Sequence, residues 1–278
     1  MDRVRLAIAS IVLAFSATAA ADGFVPWVDR PITPPKGTAE ITLDFLVGLD
    51  EGAAGKVLGP AAGLAWDRYS GLAVRAGVFN GFELGFAGQF LWAEAGGGRQ
   101  LAGYPYSFQF TTGDSHLVPL YMYGKYEIIE VLGVELGFLL SPEQQLGNNR
   151  PALRLGLPFK WVFSPGMLAV HVRPDVVVGF ADMDNPDVVV REAVQVSFYA
   201  DAGIAFNLLP ELFLDLTLAY GRNVFPDERG YLPVSFAVGW TPIGSLDVFA
   251  GFTLANLDPP AGSRVAGRHL SIGLAHRW

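Results

Sequence analysis

Cysteine is absent from this 278-residue sequence. That excludes a disulfide-stapled secreted fold and any metal site built on thiolates. Charge is sparse: Asp, Glu, Lys and Arg make up 17% of the chain, against roughly 25% in soluble domains. Basic runs are missing and the formal net charge is −8, which argues against a nucleic-acid partner. Past the N-terminus no window reaches about 18 uninterrupted apolar residues, so transmembrane helices are not expected.

What the chain does have is an apolar content of 51% and 33 glycines. High hydrophobicity without helical spans suits a lipid-facing β-barrel, in which only alternate residues need be apolar. Glycine in that number suits turns and small inward-facing positions.

The N-terminus reads as an export signal. Arg3 and Arg5 precede an apolar run from Leu6 to Phe15, and Ala19-Ala20-Ala21 offers a small-residue cleavage site before Asp22. The run is too short for a membrane anchor, which takes roughly 20 apolar residues. Residues 1–21 are therefore expected to be a signal peptide, 22–37 a loose periplasmic leader rich in proline, and 38–278 the folded domain.

From Glu40 onward the chain alternates. Ile41, Leu43, Phe45 and Val47 face away from Glu40, Thr42 and Asp44. Asn80-Gly81 is a strong hairpin signal between Val74–Val78 and Phe82–Trp92. The leucines of 208–220 recur every second residue, so the strand period outweighs their helix propensity. Twelve strands are predicted, beginning near 38, 69, 82, 116, 132, 152, 167, 193, 211, 231, 245 and 267. Connections alternate short (near 80, 129, 165, 209 and 243) and long, with 50–68 read as a Gly/Ala-rich loop. An even count with that rhythm implies a transmembrane, antiparallel, up-and-down β-barrel of all-β class with both termini in the periplasm. Four prolines sit awkwardly inside these strands: Pro119, Pro158, Pro174 and Pro233. Pro158 and Pro174 fall close together on neighbouring strands, where a bulge or missing ladder bonds are expected.

The last nine residues, LSIGLAHRW, place Leu270, Ile272, Leu274, His276 and Trp278 on one face. An apolar ladder ending on an aromatic resembles the closing strand of Gram-negative outer-membrane β-barrels, although His276 stands where that pattern has an apolar residue or Tyr. The stretch AGVFNGFELGFAGQF is similar to the tight periplasmic hairpins of outer-membrane transport barrels. The resemblance implies a location in the cell outer membrane of a Gram-negative bacterium. It also implies contact with outer-membrane lipid and recognition of the strand ending at Trp278 by the barrel-assembly machinery. A porin-like role in passing small solutes follows. No motif fixes a subfamily.

Within such a barrel the polar face lines the lumen. Glu40, Asp44, Arg75, Glu135, Arg154, Lys160, His171, Arg173, Asp175, Asp201, Asp215 and Asp247 are the candidate pore-lining residues. Basic residues on strands six and seven opposite acidic residues on strands eight, nine, eleven and one would form two walls and a transverse field. The alternative is a set of interior ion pairs, such as Arg173 with Asp175 or Glu135 with Arg154, that fills the barrel. Trp92, Trp161, Phe163, Tyr220, Trp240 and Trp278 are candidate interfacial aromatics.

Enzyme signals are weak. Ser115 and His116 are adjacent and so point to opposite faces, and His269 and Ser271 share a face without an accompanying acid. The acidic cluster Asp182, Asp184, Asn185 and Asp187 lacks the glycine and distal Glu of a calcium loop. No catalytic residue, cofactor or metal is assigned. The reading is a narrow passive channel for small solutes; a filled structural or attachment barrel is the second reading, and a lipid-modifying barrel enzyme the third.

Overall fold

The computed structural model describes residues 24–48, 55–58, 72–93, 116–140, 152–180, 194–225, 232–257 and 266–278. Among them lie fourteen β-strands: β1 (Ala39–Gly48), β2 (Gly55–Leu58), β3 (Leu72–Phe79), β4 (Phe82–Ala93), β5 (His116–Ile129), β6 (Leu132–Leu140) and β7 (Ala152–Gly156). The others are β8 (Phe159–Ser164), β9 (Leu168–Phe180), β10 (Val194–Leu209), β11 (Leu212–Phe225), β12 (Val234–Ile243), β13 (Leu246–Asn256) and β14 (Ala266–Arg277).

These make twelve staves of one closed antiparallel barrel. β2 and β3 are the two ends of a single stave, since both pair with β1 on one side and β4 on the other. The sequence reading left Gly55–Leu58 inside a loop; four residues are too few for alternation to declare itself. β7 and β8 likewise share a stave. The ring closes where β14 meets β1, from Glu40↔Arg277 to Gly48↔His269. Closure removes every free sheet edge.

Two prolines explain the break between β7 and β8. Gly156 pairs with Asp175 and Phe159 with Val172, so the register runs through without a bulge. Leu157 N donates to Pro174 O at 3.0 Å and Gly133 N to Pro158 O at 2.8 Å. The return bonds are missing because neither proline has an N–H. Of the two expected outcomes, missing ladder bonds is the one found. Pro119 falls at a register shift between β4 and β5. Pro233 precedes β12, accepting from Ala219 N at 2.9 Å.

Five tight turns gather at one end of the barrel, around Asn80-Gly81, Glu130-Val131, Pro165-Gly166, Pro210-Glu211 and Gly244-Ser245. Gly81 and Gly166 hold φ of 73° and 71°, a left-handed conformation that costs glycine little. Ala39 and Trp278 exchange both backbone bonds, each at 3.0 Å, at that same end.

The sidedness is inverted relative to a soluble protein. Glu83, Glu135, Asp175 and Asp247 are 0% exposed inside, whereas Leu136 and Ile272 outside are 61% and 56% exposed. Leu, Val, Ile and Phe form the outer surface of the staves, among them Leu43, Val74, Leu84, Leu153, Val176, Leu216 and Phe236. Water would penalise that surface and hydrocarbon would not.

Many glycines serve a packing rule. Gly85 pairs with Tyr123, Gly203 with His171, Gly239 with Phe213 and Gly273 with Phe249. In each case a Cβ on the glycine would run into the partner's ring. Large inward side chains thus lie flat across the neighbouring strand instead of projecting to the axis.

Candidate functional site in the barrel lumen

The segment before β1 is where the structure departs most from the sequence reading. Residues 24–37 are not a loose leader. They enter the barrel at the short-turn end and cross its mouth. With prolines at 26, 31, 34 and 35 the segment cannot extend a helix or join a ladder. Trp27–Asp29 forms one 3-10 turn, Thr38 N closes a second turn on Pro35 O at 3.0 Å, and the anchors that hold the segment in place lie on the barrel wall.

Trp27, 1% exposed, stacks on Phe213 with centroids 4.4 Å apart and planes 8° from parallel. Its surroundings are small: Ala169, Ala205, Ala237 and Ala275, with Phe249 beside them. Arg30 donates from Nη1 and Nη2 to the two carboxylate oxygens of Asp247, at 2.8 and 2.9 Å, and its Cζ lies 4.9 Å from the Trp27 ring centroid. Val28 N donates to Asn207 Oδ1 at 3.0 Å. Gly166 N donates to Asp29 Oδ2 at 2.8 Å. Lys160 Nζ donates to the Arg30 carbonyl, and Thr33 Oγ1 to Glu127 at 3.3 Å. Pro34 and Pro35 lie so close to Gly77 that a Cβ there would meet their carbonyl oxygens. Gly37, at φ 83°, then turns the chain into β1.

Among the described residues the lumen carries three charge networks. In the first, Glu40 meets Arg75 at 3.1 Å and Arg277 at 3.5 Å, and Arg277 also reaches Asp247 at 2.7 Å. Arg75 continues to Glu83 at 3.8 Å, which Lys125 holds at 2.9 Å and the Tyr123 hydroxyl at 2.6 Å. In the second, Arg173 bridges Glu135 at 3.0 Å and Asp175 at 3.4 Å, Arg154 binds Asp175, and the Tyr121 hydroxyl donates to Glu135 at 2.5 Å. The third sets His171 Nε2 3.1 Å from Asp215 and Nδ1 3.8 Å from Asp201; Thr217 donates to Asp215 at 2.7 Å.

The structure therefore turns inward Glu40, Arg75, Glu135, Arg154, Lys160, His171, Arg173, Asp175, Asp215 and Asp247, all buried, with Asp201 beside His171. The side chain of Asp44 lies outside the described residues. The charges do not form two opposed walls. Acids and bases interleave on neighbouring staves and pair locally, because in a low-dielectric interior adjacent opposite charges offset one another's desolvation. Arg173 pairs with Asp175 as expected, and it also holds Glu135 while Arg154 also holds Asp175. Sequence reasoning missed Arg30, Glu83, Lys125 and Arg277. The last three occupy the polar face of their strands, so alternation alone could have nominated them.

Trp161, Phe163, Trp240 and Trp278 point outward close to the short turns, and Tyr220 points outward farther along β11. The side chains of Trp92, His116 and His269 fall outside the described residues. So do the whole of residues 1–21, Ser115 and the 182–187 cluster.

No protein-family model matches the chain, and no curated protein sequence does. Solved structures do. The chain is similar to the COG4313 outer membrane channel from Pseudomonas putida F1 at 14% identity and TM-score 0.57, over 90% of this chain and 98% of that one. Weaker likenesses include a KdgM porin (10%, TM-score 0.46, 86% and 98%). Another is OmpT, an outer membrane protein of Vibrio cholerae (10%, TM-score 0.41, 87% and 96%). The chain thus has the fold of the outer-membrane channel barrels.

Proposed function

We propose that this protein is an outer-membrane channel through which small solutes pass passively, along a lumen narrowed at the short-turn end by residues 24–37. The observation that carries the reading is the inverted sidedness: ion-pairing side chains inside a closed ring of strands, aliphatic side chains outside. A hydrocarbon-facing exterior needs the second property, and a path for polar solutes uses the first. On this reading the short-turn end, with both termini, faces the periplasm of a Gram-negative cell. The strand ending at Trp278 is what the assembly machinery engages, and no cofactor takes part.

Planar-bilayer recording tests it. Stepwise conductance is expected from the wild-type protein, with larger steps from the double variant Trp27→Ala/Arg30→Ala. Replacing Arg154, Lys160 and Arg173 together by Met should shift selectivity toward cations; unchanged selectivity refutes their place on the path. The second reading, a filled barrel without transport, is favoured by the local pairing of nearly every interior charge. It predicts silence from both wild type and double variant.

A further inference from the structure

We infer that the seat beneath Trp27 and Arg30 is a ligand site of the lumen wall for a solute joining a flat aromatic ring to a cationic group, with residues 24–37 as its internal competitor. The inference rests on the reading of the barrel as a solute path.

The wall is built for that chemistry independently of the segment. Phe213 lies over Gly239, where a Cβ would collide with its ring, so it offers its face to the lumen and takes an aromatic partner in parallel at 4.4 Å. Ala169, Ala205, Ala237 and Ala275 leave the ring room. Asp247 is fixed beside this shelf by Thr241, which donates to it at 2.6 Å, and by Arg277 at 2.7 Å. When Arg30 leaves, the carboxylate keeps a cation and the wall stays intact. The ring and the cation of the occupant lie 4.9 Å apart, a span that one small molecule can cover. Asn207 Oδ1 and Lys160 Nζ, which take the Val28 N–H and the Arg30 carbonyl, add one acceptor and one donor to the seat. The regular structure of the segment is one 3-10 turn. It binds as a peptide ligand binds a preformed wall, with anchors supplied by aromatic and Arg side chains.

The test is calorimetric titration of the full-length protein in detergent with arginine 2-naphthylamide, an arene amide bearing a guanidinium. Binding should tighten about tenfold or more in Trp27→Ala/Arg30→Ala, where competition is removed. In that background Phe213→Leu should weaken it about tenfold, and Asp247→Asn should do the same. Arginine methyl ester and naphthaleneacetamide, each with half of the features, should bind weakly. If the double variant, folded by circular dichroism, binds no tighter than wild type, the inference is overturned. It is equally overturned if Phe213→Leu leaves affinity unchanged; that variant keeps an apolar side chain and so serves where Asp247→Asn does not fold. The readout does not need conduction. A variant that conducts without binding sinks the site and leaves the channel, and one that binds without conducting does the reverse.

Discussion

Arg30→Ala isolates the polar half of the segment's attachment. The substitution deletes two charge-assisted bonds to Asp247, at 2.8 and 2.9 Å, and the cation over the Trp27 ring. Hydrogen bonds to charged groups contribute about 1.5–3 kcal/mol each, and the full penalty of a stranded buried charge is larger. Here Asp247 is not stranded, because Arg277 remains 2.7 Å away. The net loss should therefore be about 2–4 kcal/mol for seating the segment. At about 1.4 kcal/mol per tenfold, its opening equilibrium should rise roughly 30- to 1000-fold. The Val28 amide, bonded to Asn207, reports that opening directly. Its hydrogen-exchange rate should rise by the same factor, while amides in the β10–β11 ladder keep theirs. Exchange at Val28 that does not change in a folded Arg30→Ala barrel would refute the claim that side-chain anchors hold the segment.

Gly85→Ala should lower the urea midpoint by the equivalent of about 1–3 kcal/mol, because the new methyl collides with the Tyr123 ring and drives its hydroxyl from Glu83; an unchanged midpoint counts against the packing rule. Lys125→Met removes the 2.9 Å partner of Glu83, which is 0% exposed and keeps the Tyr123 hydroxyl and Arg75 at 3.8 Å, and should cost about 1.5–3 kcal/mol. Adding Glu83→Gln should recover part of that loss in a double-mutant cycle, and strict additivity would show that the two do not interact. Leu216→Arg, on the outer surface in the middle of β11, should reduce folding into lipid vesicles by the equivalent of about 2–4 kcal/mol. Equal folding yields would mean that this surface does not meet hydrocarbon.

Most of the barrel was readable because the strand period is imposed by the environment on both faces at once. Leu212 to Leu218 on β11 shows this best: each second residue meets the outside, and Asp215 and Thr217 meet the lumen. Turn chemistry at Asn80-Gly81 and Pro165-Gly166 fixed the hairpins. The stave formed by β2 and β3 was only half legible, since Gly55–Leu58 acquires its strand character from β1 and β4 on either side. The described interior charges lie on the face assigned to them, and Arg173 pairs with Asp175 as expected, but the full networks were not legible, because partners are chosen by cross-strand geometry that alternation does not encode. Residues 24–37 were misread for a related reason. Their donors and acceptors come from Asn207, Gly166, Lys160 and Asp247, more than a hundred positions downstream, and a segment without periodicity carries no local trace of such partners.

The seam between β1 and β14 makes assembly an all-at-once event near its finish. Glu40 must find Arg277 across almost the entire length of the polypeptide, a contact with a high closing entropy and hence a late one. Asp247, which receives Arg30, sits on β13 next to β14, its other partner Arg277 sits on β14 at the joint itself, and Gly37 tethers the inserted residues directly to β1. Zipping the joint and drawing the segment inside are therefore mechanically coupled, like a drawstring fastened to the hem it closes. The cylinder is narrowed in the same motion that makes it a cylinder.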